Sequence, residues 1–153
     1  MIPKGRLLTD GWCFRRAEQT FVVAGAGSAG VGIVDTLVTA MVSLYGLTEE
    51  NARARFWLVD HMGLLGKGRT DLTDEQLRYQ RTDAEGGIPL ADVLPTAGAT
   101  VLLGVSGAGP IFTAPILQWM ADNNETPLIF PMSNPTSKAE CTADDAFRCA
   151  ISD

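Results

Sequence analysis

Along this chain, short unbroken apolar runs alternate with longer stretches in which apolar residues return every three or four positions. The unbroken runs, at residues 20–24, 55–59, 100–105 and 127–132, predict four strands, the third apolar on both sides and so buried on both faces. Between the first two, Val31, Val34, Val38, Met41 and Tyr45 keep a 3-4-3-4 spacing. That single stripe predicts a helix over 31–45, stopped by Gly46. Thr48 with Glu49 and Glu50 opens a short helical stretch. Thr73-Asp-Glu-Gln76 is a capping box for a polar helix to about residue 81. One or two helical turns are expected at 88–94, with Pro89 near the start. Thr113 is expected to cap a helix over 114–122, and Thr142-Ala-Asp-Asp145 to open a last one. Pro131 places the fourth strand at a sheet edge or marks its end. The glycine-rich 63–68 predicts a tight loop or irregular hairpin, and 60–100 gives no clean crossover unit. Strand–helix alternation makes the fold class α/β, a doubly wound, mostly parallel sheet. Residues 1–19, with Trp12 and Phe14 set among charges, read as a lead-in, and 20–153 as one domain with room for a single core.

The first strand runs straight into Gly25-Ala-Gly-Ser-Ala-Gly30, glycines spaced G-x-G-x-x-G, and then into the long helix. Strand, glycine turn and helix in this order form the setting in which the spacing signals a dinucleotide site. Gly25 permits the tight turn, Gly27 lets the backbone approach a pyrophosphate, and Gly30 lets helix and strand pack closely. Open N–H groups and the helix dipole favour an anion there. Asp60 ends the second strand, where such sites place an acid on the adenosine ribose. His61, the only histidine, stands beside it, suited to an adenine-edge contact. Val105-Ser106-Gly107 and Ser133-Asn134-Pro135 follow strand ends on the edge where open α/β sheets hold ligands; turn chemistry alone also explains those residues.

Composition narrows the classes. A net charge of −6 and a pI near 4.7 argue against nucleic acid or an anionic membrane as partner. No apolar run approaches the roughly 20 residues that span a bilayer. The N-terminus lacks the apolar core of a secretion signal, so the expected location is the cytoplasm or an organelle matrix. Cys13, Cys141 and Cys149 are odd in number without a C-x-x-C pair, which predicts reduced thiols and no metal site.

Several segments together resemble the malic enzyme family in its cofactor-binding domain, a Rossmann-like fold. They are Gly25-Ala-Gly-Ser-Ala-Gly-Val-Gly-Ile33, Phe56-Trp-Leu-Val-Asp60, Gly63-Leu-Leu-Gly-Lys-Gly-Arg69, Leu103-Gly-Val-Ser-Gly107 and Pro131-Met-Ser-Asn-Pro-Thr-Ser-Lys-Ala-Glu-Cys141. The resemblance covers about residues 20–150. It implies oxidative decarboxylation of (S)-malate to pyruvate and CO₂ with NAD or NADP and Mg²⁺ or Mn²⁺. It further implies Gly25, Ala26, Gly27, Ser28, Ala29 and Gly30 on the pyrophosphate, Asp60 on the adenosine ribose, Val105 and Ser106 along the dinucleotide, and Asn134 at the nicotinamide and malate. The similar malolactic enzymes share these features.

The family's tyrosine acid, lysine base and metal-holding carboxylates have no counterpart among Lys4, Lys67, Lys138, Tyr45 and Tyr79 or in residues 1–19. The expectation is a piece of a larger homo-oligomeric enzyme, without catalytic residues or metal ligands of its own. A solitary NAD-binding sensor and another dinucleotide enzyme are the rival readings. Cofactor choice leans to NAD. Asp60 would repel a 2′-phosphate, and Gln76 stands near where NADP-using relatives tend to place a lysine. Against that, His61, Lys67 and Arg69 are candidates for a phosphate-binding group.

Overall fold

A computed structural model describes residues 19–151. Most of the lead-in, including Trp12, Cys13 and Phe14, lies outside the described residues, as do Ser152 and Asp153. Five strands build one sheet: β1 (Phe21–Ala24), β2 (Phe56–Asp60), β3 (Gly63–Leu64), β4 (Val101–Gly104) and β5 (Leu128–Pro131). Their order is β3-β2-β1-β4-β5. β1 pairs in parallel with β2 on one side (Phe21 opposite Phe56) and with β4 on the other (Phe21 opposite Val101), and β4 pairs in parallel with β5. Only β3 is antiparallel, folded back on β2 as the hairpin expected of the glycine-rich segment. The doubly wound, mostly parallel sheet is therefore what the alternation predicts.

Side chains of the three central strands divide between two cores with a period of two. Val22, Trp57, Val59 and Leu102 pack with Val93 and Leu94 of α4 (Leu90–Ala97) and with Ile116, Leu117 and Met120 of α5 (Ala114–Asn123). Val23, Phe56, Leu58, Val101 and Leu103 pack with Val31, Val34, Val38 and Met41 of α1 (Ser28–Tyr45). Burial on both faces explains why these strands read as continuous apolar runs. The remaining helices are α2 (Glu49–Arg53), α3 (Asp74–Leu77) and α6 (Ala143–Ile151), with a 3₁₀ turn at Thr136–Lys138.

Four expectations need correction. α1 starts at Ser28 and not at Val31, because the last residues of the glycine motif already form its first turn. α1 also reaches 18 residues with a mean hydropathy of 1.4, long and apolar enough to cross a bilayer where no such run was expected. Here its stripe from Val31 to Met41 is buried against the sheet. α4 begins after Pro89, its N-cap, and continues through Pro95 before Gly98 ends it in the left-handed region. The proline removes one backbone donor from a helix with only two residues left to run. Thr113 occupies the N-cap of α5 without a side-chain hydrogen bond, and Pro115 in the first turn removes one of the two N–H groups a cap can use. The other caps hold. Thr48 accepts from the Asn51 N–H, Thr73 and Gln76 form the complete capping box, and Thr142 accepts from the Asp145 N–H. Cys141 and Cys149 are both free thiols.

Candidate functional site

A cleft of about 730 Å³ opens at the C-terminal ends of β1 and β2 and beside the turn that follows β4. Its size is that of a small-molecule site, and β1 and β4 flank the point where the strand order reverses, the usual ligand position in open α/β sheets. Of the residues nominated from sequence, Gly25, Gly27, Asp60, His61 and Ser106 line it. Ala26 and Gly30 are buried beneath the turn. Ser28 and Ala29 face a shallower groove along α1 together with Gly32, Ile33, Thr36 and Leu37. Val105 lies under the glycine turn, and Asn134 stands exposed after β5, on a turn whose Asn134–Pro135 peptide is cis.

The three glycines have three distinct physical reasons. Gly25 has φ +121°, and a Cβ there would lie 2.6 Å from the Val105 carbonyl, so the chain both twists and passes tightly over the end of β4. A Cβ on Gly30 would lie 1.9 Å from the Gly25 carbonyl oxygen, so α1 sits directly on the turn. Gly27 has nothing within 4 Å of where its Cβ would be, and it lines the cleft. Its role is to leave space. Gln76, beyond completing its capping box, donates from Nε2 to the Ala26 carbonyl at 2.9 Å and thereby ties α3 to the glycine turn.

α1 presents its N-terminus without a side-chain cap and without an acid in its first turn. In contrast, α2 and α3 are capped by threonines and begin with Glu49-Glu50 and Asp74-Glu75. The positive end of the longest helix among the described residues is thus left without a protein counter-charge.

Asp60 is held by Arg69. Its Oδ1 accepts from the Met62 N–H (2.8 Å) and Arg69 Nη1 (3.1 Å), and its Oδ2 from Arg69 Nη2 (2.8 Å). Arg69 is also paired with Asp71 at 2.6 Å. Burial alone would push the Asp60 carboxyl up, but the Arg69 guanidinium and the Met62 N–H outweigh it and hold it below the ordinary aspartate range. Asp71, with Arg69 as the main cause, is brought down to about 2. Lys67 pairs instead with Glu85 at 3.8 Å, and neither it nor Arg69 lines the cleft, so the His61, Lys67 and Arg69 group is not assembled there.

A carboxyl lowered by folding stabilises the native state fully above its unfolded titration and loses that contribution as acid protonates the folded form. Asp60→Asn is therefore expected to cost about 1.5 kcal/mol near neutral pH, with the deficit against the parent closing as pH falls below about 4. Thermal melts of both proteins across that range check this. A deficit that stays constant would mean that charge plays no part in the pair.

The residue that sequence reasoning passed over is Glu140, quoted within a segment but given no role. Among the described residues it is the only buried polar or charged one. Its Oε1 accepts from the Ser106 N–H (2.9 Å), Ser106 Oγ (2.8 Å) and Ser133 Oγ (2.6 Å), and its Oε2 from the Ser133 N–H (3.4 Å). Burial would raise its pKa, and the bonds from Ser133 and Ser106 more than offset that and hold the carboxyl below the ordinary glutamate value. A sequence signal did exist: Gly104 interrupts an apolar strand, and a Cβ there would meet the Glu140 side chain at 2.5 Å.

Comparison with known proteins agrees with this geometry. Residues 14–152 match the family model described as "Malic enzyme, NAD binding domain". The chain is 46% identical over 129 residues to the hydrogenosomal malic enzyme of Neocallimastix frontalis, covering 84% of this chain and 22% of that protein. It is 43% identical over 134 residues to the NADP-dependent malic enzyme of Anas platyrhynchos (88% and 24%). It is 39% identical over 140 residues to the NAD-dependent malic enzyme of Vibrio campbellii (86% and 25%). The chain spans about a quarter of the length of these relatives. With a glycine turn at the head of α1, a mostly parallel sheet and this similarity over nearly its whole length, the chain belongs to the malic enzyme family as its NAD-binding domain.

Proposed function

We propose that the chain carries the dinucleotide and one edge of the malate site of an enzyme that converts (S)-malate to pyruvate and CO₂. The observation that supports this best is the open head of α1, where Gly27 leaves space in the cleft and no side chain caps the helix. A pyrophosphate is the anion suited to that position: the backbone of Gly25 to Gly30 cradles it and the helix dipole favours its charge. The adenosine half then lies toward β2. A carboxylate offers about four acceptor sites; Asp60 uses three, leaving one on Oδ2 for a ribose hydroxyl. His61 borders the same end of the cleft.

The other nucleoside extends toward Val105 and Ser106, with Asn134 available on the exposed turn after β5. When bound, the nicotinamide supplies the two-electron acceptor for the hydride leaving malate. The chain's own residues bind and orient: the Asn134 amide has both a donor for a malate carboxylate and an acceptor for a ribose or carboxamide group. A divalent metal belongs to the family's reaction, but among the described residues no three His, Cys, Asp or Glu side chains gather to hold one. The described residues do not fit a metal.

NAD is the cofactor we propose. A 2′-phosphate on the adenosine ribose would come against Asp60, while Arg69, the cation nearest it, is already shared by Asp60 and Asp71. Moving Arg69 to a phosphate would leave Asp60, only 13% exposed, without its partner. Calorimetric titration is expected to give NAD⁺ at least about tenfold tighter than NADP⁺. Tighter NADP⁺ binding would sink the assignment of NAD, and binding of neither would sink the dinucleotide site.

A further inference from the structure

Glu140 does not line the cleft, yet it ties the turn after β4, whose Ser106 and Ala108 line the cleft, to the turn after β5, which lies behind it. One turn, Ser106–Gly107, follows β4; the other, Ser133–Asn134, follows β5. Both serines are turned inward. Ser106 Oγ donates to Glu140 and accepts from the Ala108 N–H (3.2 Å), and Ser133 Oγ donates to Glu140 and accepts from the Gly107 N–H (2.9 Å). Four donors converge on one carboxylate, and each serine hydroxyl passes the constraint on to a backbone N–H of the β4 turn. The carboxylate fits there because Gly104 has no side chain.

The topology decides which part of a ligand this affects. β1 is central, with β2 and Asp60 on one side and β4 and β5 on the other. A dinucleotide with its pyrophosphate on the turn after β1 straddles that strand, so its adenosine lies toward Asp60 and its second nucleoside toward the two turns tied by Glu140.

We propose that Glu140 is a positioning residue for the nicotinamide half of the site, fixing the turns after β4 and β5 through Ser106 and Ser133 without touching the ligand. This rests on the dinucleotide reading above. Because the carboxylate is buried and fully engaged, its removal leaves several donors without a partner, and they can be satisfied only if the turns move.

The test compares two ligands, NAD⁺ and ADP, the second carrying only adenosine and diphosphate. In Glu140→Ala, with folding confirmed by a cooperative melt, NAD⁺ affinity should fall about tenfold while ADP affinity stays within about twofold of the parent. Glu140→Gln should restore most of the NAD⁺ affinity, since an amide oxygen can replace Oε1, where three of the four donors meet. If Glu140→Ala does not fold, Ser133→Ala removes one arm and should show the same selectivity, with NAD⁺ weakened about threefold. Equal losses of both ligands, unchanged NAD⁺ binding, or a Gln variant as weak as the Ala variant would each overturn the role of Glu140. A parent chain that binds neither ligand would overturn the dinucleotide reading itself, and this inference with it.

Discussion

The Gly27→Val protein is expected to fold like the parent and to lose dinucleotide binding by about a hundredfold or more, near 2.7 kcal/mol. The two halves of that statement have separate causes. Gly27 has φ −77° and ψ −175°, extended backbone that valine adopts freely, and nothing within 4 Å of the added Cβ. Stability should therefore change by no more than about 1 kcal/mol, the scale of an altered N-cap. The added methyls project into the cleft, at the head of α1, where a pyrophosphate has to approach the backbone. Melting temperature and NAD⁺ titration on the same sample check both halves. A folded variant that binds as the parent does would move the phosphate away from Gly27.

Gly30→Ala should do the reverse, damaging the fold first. The new Cβ would lie 1.9 Å from the Gly25 carbonyl oxygen and 3.2 Å from Val105 Cγ2, so α1 has to lift from the turn or the turn has to leave the end of β4. Overpacking of this kind costs about 3 kcal/mol, and the better helix propensity of alanine returns about 1 kcal/mol at most. The denaturant midpoint should drop accordingly, with cofactor affinity falling as a consequence. Parent-like stability would show that strand and helix have slack between them. One methyl at Gly30 is therefore expected to harm the domain more than three heavy atoms at Gly27, although both positions belong to one six-residue motif.

That contrast also marks what can be read from a chain of letters. The three central strands were legible because burial on both faces leaves unbroken apolar runs, and β5 reads alike although it lies at the sheet edge with Phe130 exposed. The caps at Thr48, Thr73 and Thr142 were legible because their partners are three residues away. The start of α1 was not, since Gly30 has poor helix propensity, and it is a glycine because nothing larger fits beside Gly25. The missing side-chain cap at Thr113 was not legible, since the sequence offers a threonine with an N–H donor three residues on and the hydroxyl still makes no cap bond. At the site, Asp60 was legible from its place at a strand end, whereas the grip of Arg69 depends on the hairpin of β2 and β3 bringing the two together across nine residues. Glu140 lies in a polar segment that resembles a surface turn. Its burial is set by Gly104 on another strand, a long-range fact with no local periodicity to announce it.

The position of β1 in the sheet carries a consequence for how the cleft comes into being. Its backbone is read on one side by β2 and on the other by β4, and Thr20 bonds Thr100 across 80 residues of sequence. The walls of the cleft come from the ends of β1 and β2 and from the turn after β4, so they meet only once that long loop has closed. On the ribosome the glycine motif emerges before β4, with no site to show for it until the fourth strand arrives and inserts beside the first. Because the cofactor can bind only the finished topology, it stabilises that state by mass action. Cofactor retention is thus a measure of completed folding, registered at a seam between strands made far apart in time.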